Sequence, residues 1–187
     1  MDKSSTQYQS DLRRDVRRIK KARDVLKVIN MGSTAIGTGI NVDVNYYVNI
    51  TETLARVTGL SLKQADDMID GTQNLDGVAF LSATIKTCAI TLSKMSNDLR
   101  LMSSGPRTGF GEIILPARQN GSSIMPGKVN PVIPEVASQV AFSIIGNDMC
   151  ITMASEAGQL ELNAFEPVMF YKLFESIETL GNACETL

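Results

Sequence analysis

The chain has 187 residues, 43% of them hydrophobic and 20% charged, a balance that suits a globular domain with a sizeable core. Its net charge of −2 leaves no strong field to draw it to nucleic acid or a membrane, and it contains no histidine, so the commonest general base and metal ligand are missing. Apolar runs are short and no secretory leader pattern is present, which argues against a membrane span or signal peptide.

Residues 1–10 are polar and aperiodic and read as a disordered or frayed terminus. Residues 11–30 predict a helix, with Leu12, Val16, Ile19, Ala22, Leu26 and Ile29 at three- and four-residue spacing. Its other face carries a run of Arg and Lys interleaved with Asp11, Asp15 and Asp24, the mark of a solvated face rather than a nucleic-acid helix. The Gly-rich run 31–41 ends this helix, and its glycine order is not that of a phosphate-binding turn. A second helix is predicted over 43–59, capped by Asp43 and stopped by Gly59. Ser61 with Gln64 makes a capping box for a short third helix to about 70.

The strongest periodicity follows. Val78, Leu81, Ile85, Cys88, Leu92, Met95, Leu99 and Met102 form one unbroken stripe, suited to bundle packing. Residues 103–107 end it, and 113–115 predict a short strand. Beyond Pro131 a helix is predicted to about 158, with Val136, Val140, Ile144 or Ile145, and Ile151 inward and Gly146 serving close packing. A last stripe runs through Met169, Leu173, Ile177, Leu180, Cys184 and Leu187. So much apolar stripe predicts subunit association. Cys88, Cys150 and Cys184 are odd in number and widely spaced in helical patterns, which predicts buried, reduced thiols in a cytoplasmic protein rather than a disulfide framework or zinc site.

Between the two halves of this helical pattern lies Gly-Ser-Ser-Ile-Met-Pro-Gly-Lys-Val-Asn at 121–130. Glycines at 121 and 127 permit close backbone approach, Ser122 and Ser123 offer hydroxyls, Lys128 a cation and Asn130 an amide. Lys128, Asn130 and the N–H groups of the helix start after Pro131 form a candidate anion site on a functional loop; a merely solvated loop is the alternative.

With Pro131, this run resembles the signature loop of the aspartase/fumarase superfamily, whose members break a C–N or C–O bond and release fumarate. Residues 32–41, 97–107 and 146–167 are also similar to it. The runs Pro-Val-Ile-Pro-Glu-Val at 131–136, Ser-Glu-Ala-Gly-Gln at 155–159 and Leu-Asn-Ala-Phe-Glu-Pro-Val at 162–168 look like the aspartate ammonia-lyase branch. The resemblance implies an all-α fold, a long antiparallel helical bundle over 11–187 with only the minor strand near 113–115. It implies a chain truncated at both ends relative to the family, which assembles its site from three motifs on different subunits of a homotetramer. Only the third motif is here, so this chain alone is expected to be inactive.

By that resemblance Ser122, as its alkoxide, takes the proton from the carbon beside the β-carboxylate, and Ser123 hydrogen-bonds that carboxylate. Lys128 and Asn130 match residues that hold the other carboxylate, with Val129 in the same substrate-binding run. Glu135 matches a glutamate that supports an active-site histidine, and the loop is of a type that closes over substrate. The implied reaction is reversible deamination of L-aspartate to fumarate and ammonia, with a small dicarboxylate as ligand and no cofactor, metal, nucleic acid or membrane. A fumarase-type hydratase and a non-catalytic helical oligomerisation module are the alternatives.

Overall fold

The computed structural model describes residues 3–187. Its elements run α1 Lys3–Val25, β1 Val28–Ile29, α2 Val44–Thr58, β2 Lys63–Gln64, α3 Asp70–Gln73, α4 Asp76–Met102, α5 Val132–Glu156 and α6 Glu166–Thr186. The fold is all-α, as the periodicity implies. The helices pack in two compact units. The first joins the described residues up to Asp15 with Ile85–Gly146 and Glu175–Leu187; the second joins Val16–Thr84 with Asn147–Phe174.

The core of the first unit contains Ile85, Cys88, Ala89 and Leu92 of α4, the small residues Ala137 and Ala141 of α5, and Leu180 and Ala183 of α6, all of them buried. Tyr8 of α1 donates its hydroxyl proton to the Asp98 carboxylate of α4, which Lys94 also holds. Earlier on α4, Cys88 has the Asp15 carboxylate of α1 near it, so α1 and α4 run antiparallel. Burial, with that carboxylate and Cys184 nearby, pushes the Cys88 thiol up to about 12. Cys184 itself is exposed and Cys150 half-buried, so only one of the three thiols is buried as predicted.

In the second unit Val78, Leu81, Ile151, Ala154, Met169 and Leu173 are buried. The buried Ser82 hydroxyl donates to Asp148 Oδ1 at 2.8 Å, joining early α4 to late α5. Asn163 ties the α5–α6 turn: its amide donates to the Ala154 and Ser155 carbonyls at 3.0 and 3.2 Å, and its oxygen accepts from Phe165 N at 2.9 Å. Those two carbonyls belong to the last turn of α5, whose carbonyls lack intrahelical partners.

Local chemistry sets α2 as predicted. Asp43 Oδ1 accepts from the Asn45 and Tyr46 N–H groups at 2.8 and 3.2 Å, and Gly59 closes the helix in the left-handed region at φ 70°. Gly37 is required by space: a Cβ there would lie 2.4 Å from the Ile69 Cα.

Several expectations are corrected. α1 begins at Lys3, so residues 3–10 are helical, not frayed; Tyr8 anchors them to α4, while Met1 and Asp2 lie outside the described residues. α1 also ends at Val25, and Val28–Ile29 instead pairs in parallel with Lys63–Gln64, with Lys63 N donating to the Lys27 carbonyl at 2.9 Å. The Ser61–Gln64 capping box therefore does not form, because its backbone is used by that ladder. The strand expected at 113–115 is absent: Ile113 N reaches only the Met102 carbonyl, at 3.4 Å, and no neighbouring strand pairs with the segment.

On α5 the buried residues are Pro134, Ala137, Ser138, Ala141, Ile144, Asn147, Asp148, Ile151 and Ala154, while Val136 is 47% exposed and Val140 half-buried. The helix is apolar nearly all round, so periodicity could not choose its inward face. A Cβ at Gly146 would meet nothing within 4 Å, so this glycine serves no packing within the chain. On α6 Met169, Leu173 and Leu180 are buried as predicted, but Ile177, Cys184 and Leu187 are exposed. α4 alone among the described helices has a length and hydropathy that would permit a bilayer crossing. Its buried Val78, Leu81, Ile85, Leu92 and Ser96 are those of a core helix.

Candidate active site

The site is built on the connection from α4 to α5, within the first unit. A structureless connection this long inside a packed domain is uncommon and usually functional. Its first half folds back on the end of α4. Gly111 N donates to the Ser104 carbonyl at 2.7 Å and Glu112 N to the Met102 carbonyl at 2.8 Å. The Ser104 hydroxyl donates to the Leu101 carbonyl at 2.6 Å and accepts from Phe110 N at 3.1 Å. Gly109 lies so close that a Cβ would be 2.3 Å from the Ser104 carbonyl carbon.

The second half carries the predicted residues on short-range bonds only. Ile124 N donates to the Ser122 hydroxyl at 3.2 Å, Met125 N to the Ser122 carbonyl at 3.0 Å and Lys128 N to the Met125 carbonyl at 3.2 Å. Residues 121–129 are all exposed, with Ile124 at 87%. Gly121 closes the loop on itself: a Cβ there would lie 2.3 Å from the Lys128 carbonyl oxygen.

An open groove of about 940 Å³ runs between the two halves and the helix ends. It is within the range of small-molecule sites. The fold brings Lys128, Val129 and Glu135 together on its lining, joined by Arg100, Ser103 and Ser104. Ser122, Ser123 and Asn130 are not on that lining; both serines are exposed and Asn130 is half-buried.

Glu135 has a partner that sequence reasoning missed. Arg100 Nη2, in the last turn of α4, lies 3.7 Å from Glu135 Oε1 in the first turn of α5. The signal available was the polar run after a long apolar stripe at 103–107, which has the same character as 121–130. The helix start contributes less to an anion site than predicted. Pro131 and Pro134 carry no N–H, and Val132 N is already bonded to the Asn130 carbonyl at 2.9 Å. Among the described residues, no group of three His, Cys, Asp or Glu is placed to hold a metal ion.

The arrangement offers a cation, Lys128, at the edge of a groove large enough for a small organic anion, with hydroxyls on a loop that few bonds hold. That is the equipment for gripping a carboxylate and for chemistry beside it, once the loop is drawn in.

Known proteins resemble the chain over nearly all its length. An aspartate ammonia-lyase from Bacillus sp is 55% identical over 175 residues, covering 94% of this chain and 37% of that protein. Among solved structures, a fumarate lyase:delta crystallin from Brucella melitensis superposes with a TM-score of 0.90 at 45% identity, covering 94% of this chain and 38% of that one. A class II fumarase from Schistosoma mansoni gives a TM-score of 0.85 at 34% identity, over 95% and 40%. The chain thus spans less than half the length of the relatives it matches. The profile of one lyase family matches residues 3–146, most of the helical fold and the whole signature loop, and the chain belongs to that family.

Proposed function

We propose that this chain supplies the central helical part of an aspartate ammonia-lyase, which reversibly converts L-aspartate to fumarate and ammonia. The observation that carries the reading is the Lys128 ammonium, without an ion-pair partner among the described residues, on the lining of a groove with ample room for a small dicarboxylate. The likeness to aspartate ammonia-lyases supports it.

In this reading Ser122 removes the proton beside the β-carboxylate, and Ser123 donates to that carboxylate as it takes up charge. Lys128 and Asn130 hold the other carboxylate, with Val129 between them. A serine hydroxyl is a poor base in water, so it needs a nearby cation and a closed, dry site. Lys128 supplies that field, and inward movement of 121–130 brings Ser122 to the groove. Glu135 orients a partner group contributed from outside this chain.

The enzyme works as a homotetramer in the cytoplasm. The exposed apolar residues Phe142, Ile145, Met149 and Met153, at helical spacing along α5, support association. The isolated chain is inactive, since the rest of the site lies elsewhere.

The test is fumarate release, followed by its ultraviolet absorbance, from protein made from the complete reading frame. L-Aspartate is turned over and L-malate is not. Turnover of L-malate instead would establish the hydratase, the reading that the likeness to the Schistosoma fumarase favours. Steady turnover by the 187-residue chain alone would refute its dependence on other segments.

A further inference from the structure

We propose that Asn120–Gly121 is a self-modification site: the Asn120 amide is lost as ammonia, and the aspartyl or isoaspartyl residue left two positions before Ser122 weakens the loop's hold on a dicarboxylate. The chemistry at 120 stands on the loop itself; its effect on the ligand rests on the dicarboxylate reading above.

An asparagine side chain is attacked by the backbone nitrogen that follows it when that nitrogen is unshielded and both groups can move. Of the asparagines in the sequence, Asn120 alone precedes a glycine, which has no Cβ to cover its nitrogen. Neither Asn120 nor Gly121 has a positive φ, so the pair is not locked in the tight turn that Asn-Gly favours in hairpins. Both are exposed and lie outside helix and strand. Among the described residues, neither the Asn120 amide nor the Gly121 N–H makes a hydrogen bond. Other asparagines are held. The buried Asn163 amide donates to two carbonyls, and the Asn30 amide donates to Thr72 Oγ1 at 3.0 Å. Asn97, Asn147 and Asn182 lie within helices. Asn130 precedes Pro131, which has no N–H to give up.

The Gly121 nitrogen, once its proton has passed to base, bonds to Asn120 Cγ. The Cγ–Nδ2 bond breaks, and Nδ2 takes up a proton and leaves as ammonia. Water then opens the cyclic imide. Opening at Cγ gives an aspartyl residue; opening at the backbone carbonyl gives an isoaspartyl residue, whose main chain runs through Cβ and Cγ and is one atom longer. The sum is amide and water to acid and ammonia, with no other reactant.

Either product ionises near neutral pH and adds a negative charge to the loop that carries Lys128. The longer main chain acts more strongly. Gly121 is pressed on the Lys128 carbonyl, where a Cβ would lie 2.3 Å from the oxygen. An extra backbone atom beside Gly121 breaks that fit and moves Ser122 relative to Lys128.

The experiment ages protein from the complete reading frame in warm, mildly alkaline buffer and maps its tryptic peptides by tandem mass spectrometry. In peptide 119–128 Asn120 converts ahead of every other asparagine, at a rate within about threefold of the same peptide free in solution, because so little must open first. Faster conversion at another asparagine overturns the site, and so does a native rate more than about tenfold below that of the free peptide. Calorimetric titration with succinate, a four-carbon dicarboxylate with no amine to lose, reads the effect. Affinity falls as isoaspartate accumulates, by about tenfold in fully converted protein, the order of one charged hydrogen bond. Asn120→Ser, which cannot form the imide, binds like fresh parent before and after ageing. Unchanged affinity in converted parent overturns the effect, as does an equal loss in aged Asn120→Ser. Fresh protein scores the dicarboxylate reading separately: if it binds no succinate, that reading falls and the effect with it, while conversion at 120 is decided by the peptide map.

Discussion

The two halves of the connection between α4 and α5 have similar composition and opposite mechanics. Both are rich in glycine, serine and proline. Residues 103–112 are tied back to α4 by the Ser104 hydroxyl and by the Gly111 and Glu112 amides, with Gly109 pressed against Ser104. Residues 121–130 bond to one another and, through the Asn130 carbonyl alone, to Val132 N at the start of α5. One half is a preformed wall of the groove; the other is held in place by almost nothing but its ends. A wall lowers the entropy lost when a ligand is positioned, and a loosely held loop can close and then release product. Glycine content does not separate these roles. What separates them is whether the backbone donors find acceptors outside their own loop.

The comparison makes predictions of decreasing size. Ser122→Ala removes the proposed base, so turnover of L-aspartate by the full protein falls by about 10³-fold. The melting temperature stays unchanged, because the side chain is exposed and its hydroxyl accepts only from Ile124 N within the same exposed loop. A variant that keeps more than a tenth of the activity would take the base away from this loop.

The two crowded glycines come next. Gly109→Ala forces a methyl into the Ser104 backbone within a tied loop and costs about 2 kcal/mol of stability in denaturant unfolding. Gly121→Ala clashes as closely with the Lys128 carbonyl, but its loop is free to rearrange, so it costs under about 0.5 kcal/mol while activity drops. Equal stability losses would erase the mechanical difference.

Limited trypsin digestion sharpens it. All three of Arg107, Arg118 and Lys128 are exposed, yet cleavage after Arg118 and Lys128 outpaces cleavage after Arg107 by about tenfold, because the tied half must open first. Saturating succinate slows cleavage after Lys128 and leaves the Arg107 site unchanged.

The smallest effect is at the root of the wall. Hydrogen bonds from Lys94 and then Tyr8 hold the Asp98 carboxyl below the usual carboxylate range. A carboxyl whose pKa is lower folded than unfolded stabilises the fold above its unfolded value, and that contribution fades as pH falls through the folded one. Tyr8→Phe therefore lowers stability near neutral pH by about 0.5 kcal/mol or less, and the difference from the parent shrinks in acid below about pH 4. A difference that grows in acid would have the wrong sign for this pairing.

Legibility from sequence followed the range of the interaction. The α4 stripe was readable because Val78, Leu81, Ile85, Cys88 and Leu92 recur on one face of a single helix, and all five are buried. The ends of α2 were readable because Asp43 and Gly59 act on backbone groups a few residues away. The Ser61–Gln64 box failed for the converse reason: its local preference was outweighed by a ladder to residues more than thirty positions earlier. The inward face of α5 was only partly readable: Ile144 and Ile151 are buried as expected but Val136 is exposed and Val140 half-buried, because its alanines, valines and isoleucines compete equally until a neighbouring helix selects among them. At the site, the chemistry of Ser122, Ser123, Lys128 and Asn130 was plain in the run 121–130. The pairing of Glu135 with Arg100 was not, because the two are far apart in sequence and meet only where α4 and α5 pack.

The sequence alone therefore determined the helical character of the chain, the stripe of α4, the caps of α2 and the reactive groups of the loop, since each is set by neighbours within a turn or two. Tertiary packing decided which face of α5 turns inward, which half of the α4–α5 connection is a wall, and that Arg100 lies beside the Glu135 carboxylate. Those outcomes depend on where separate segments bring their side chains, and no local preference specifies that.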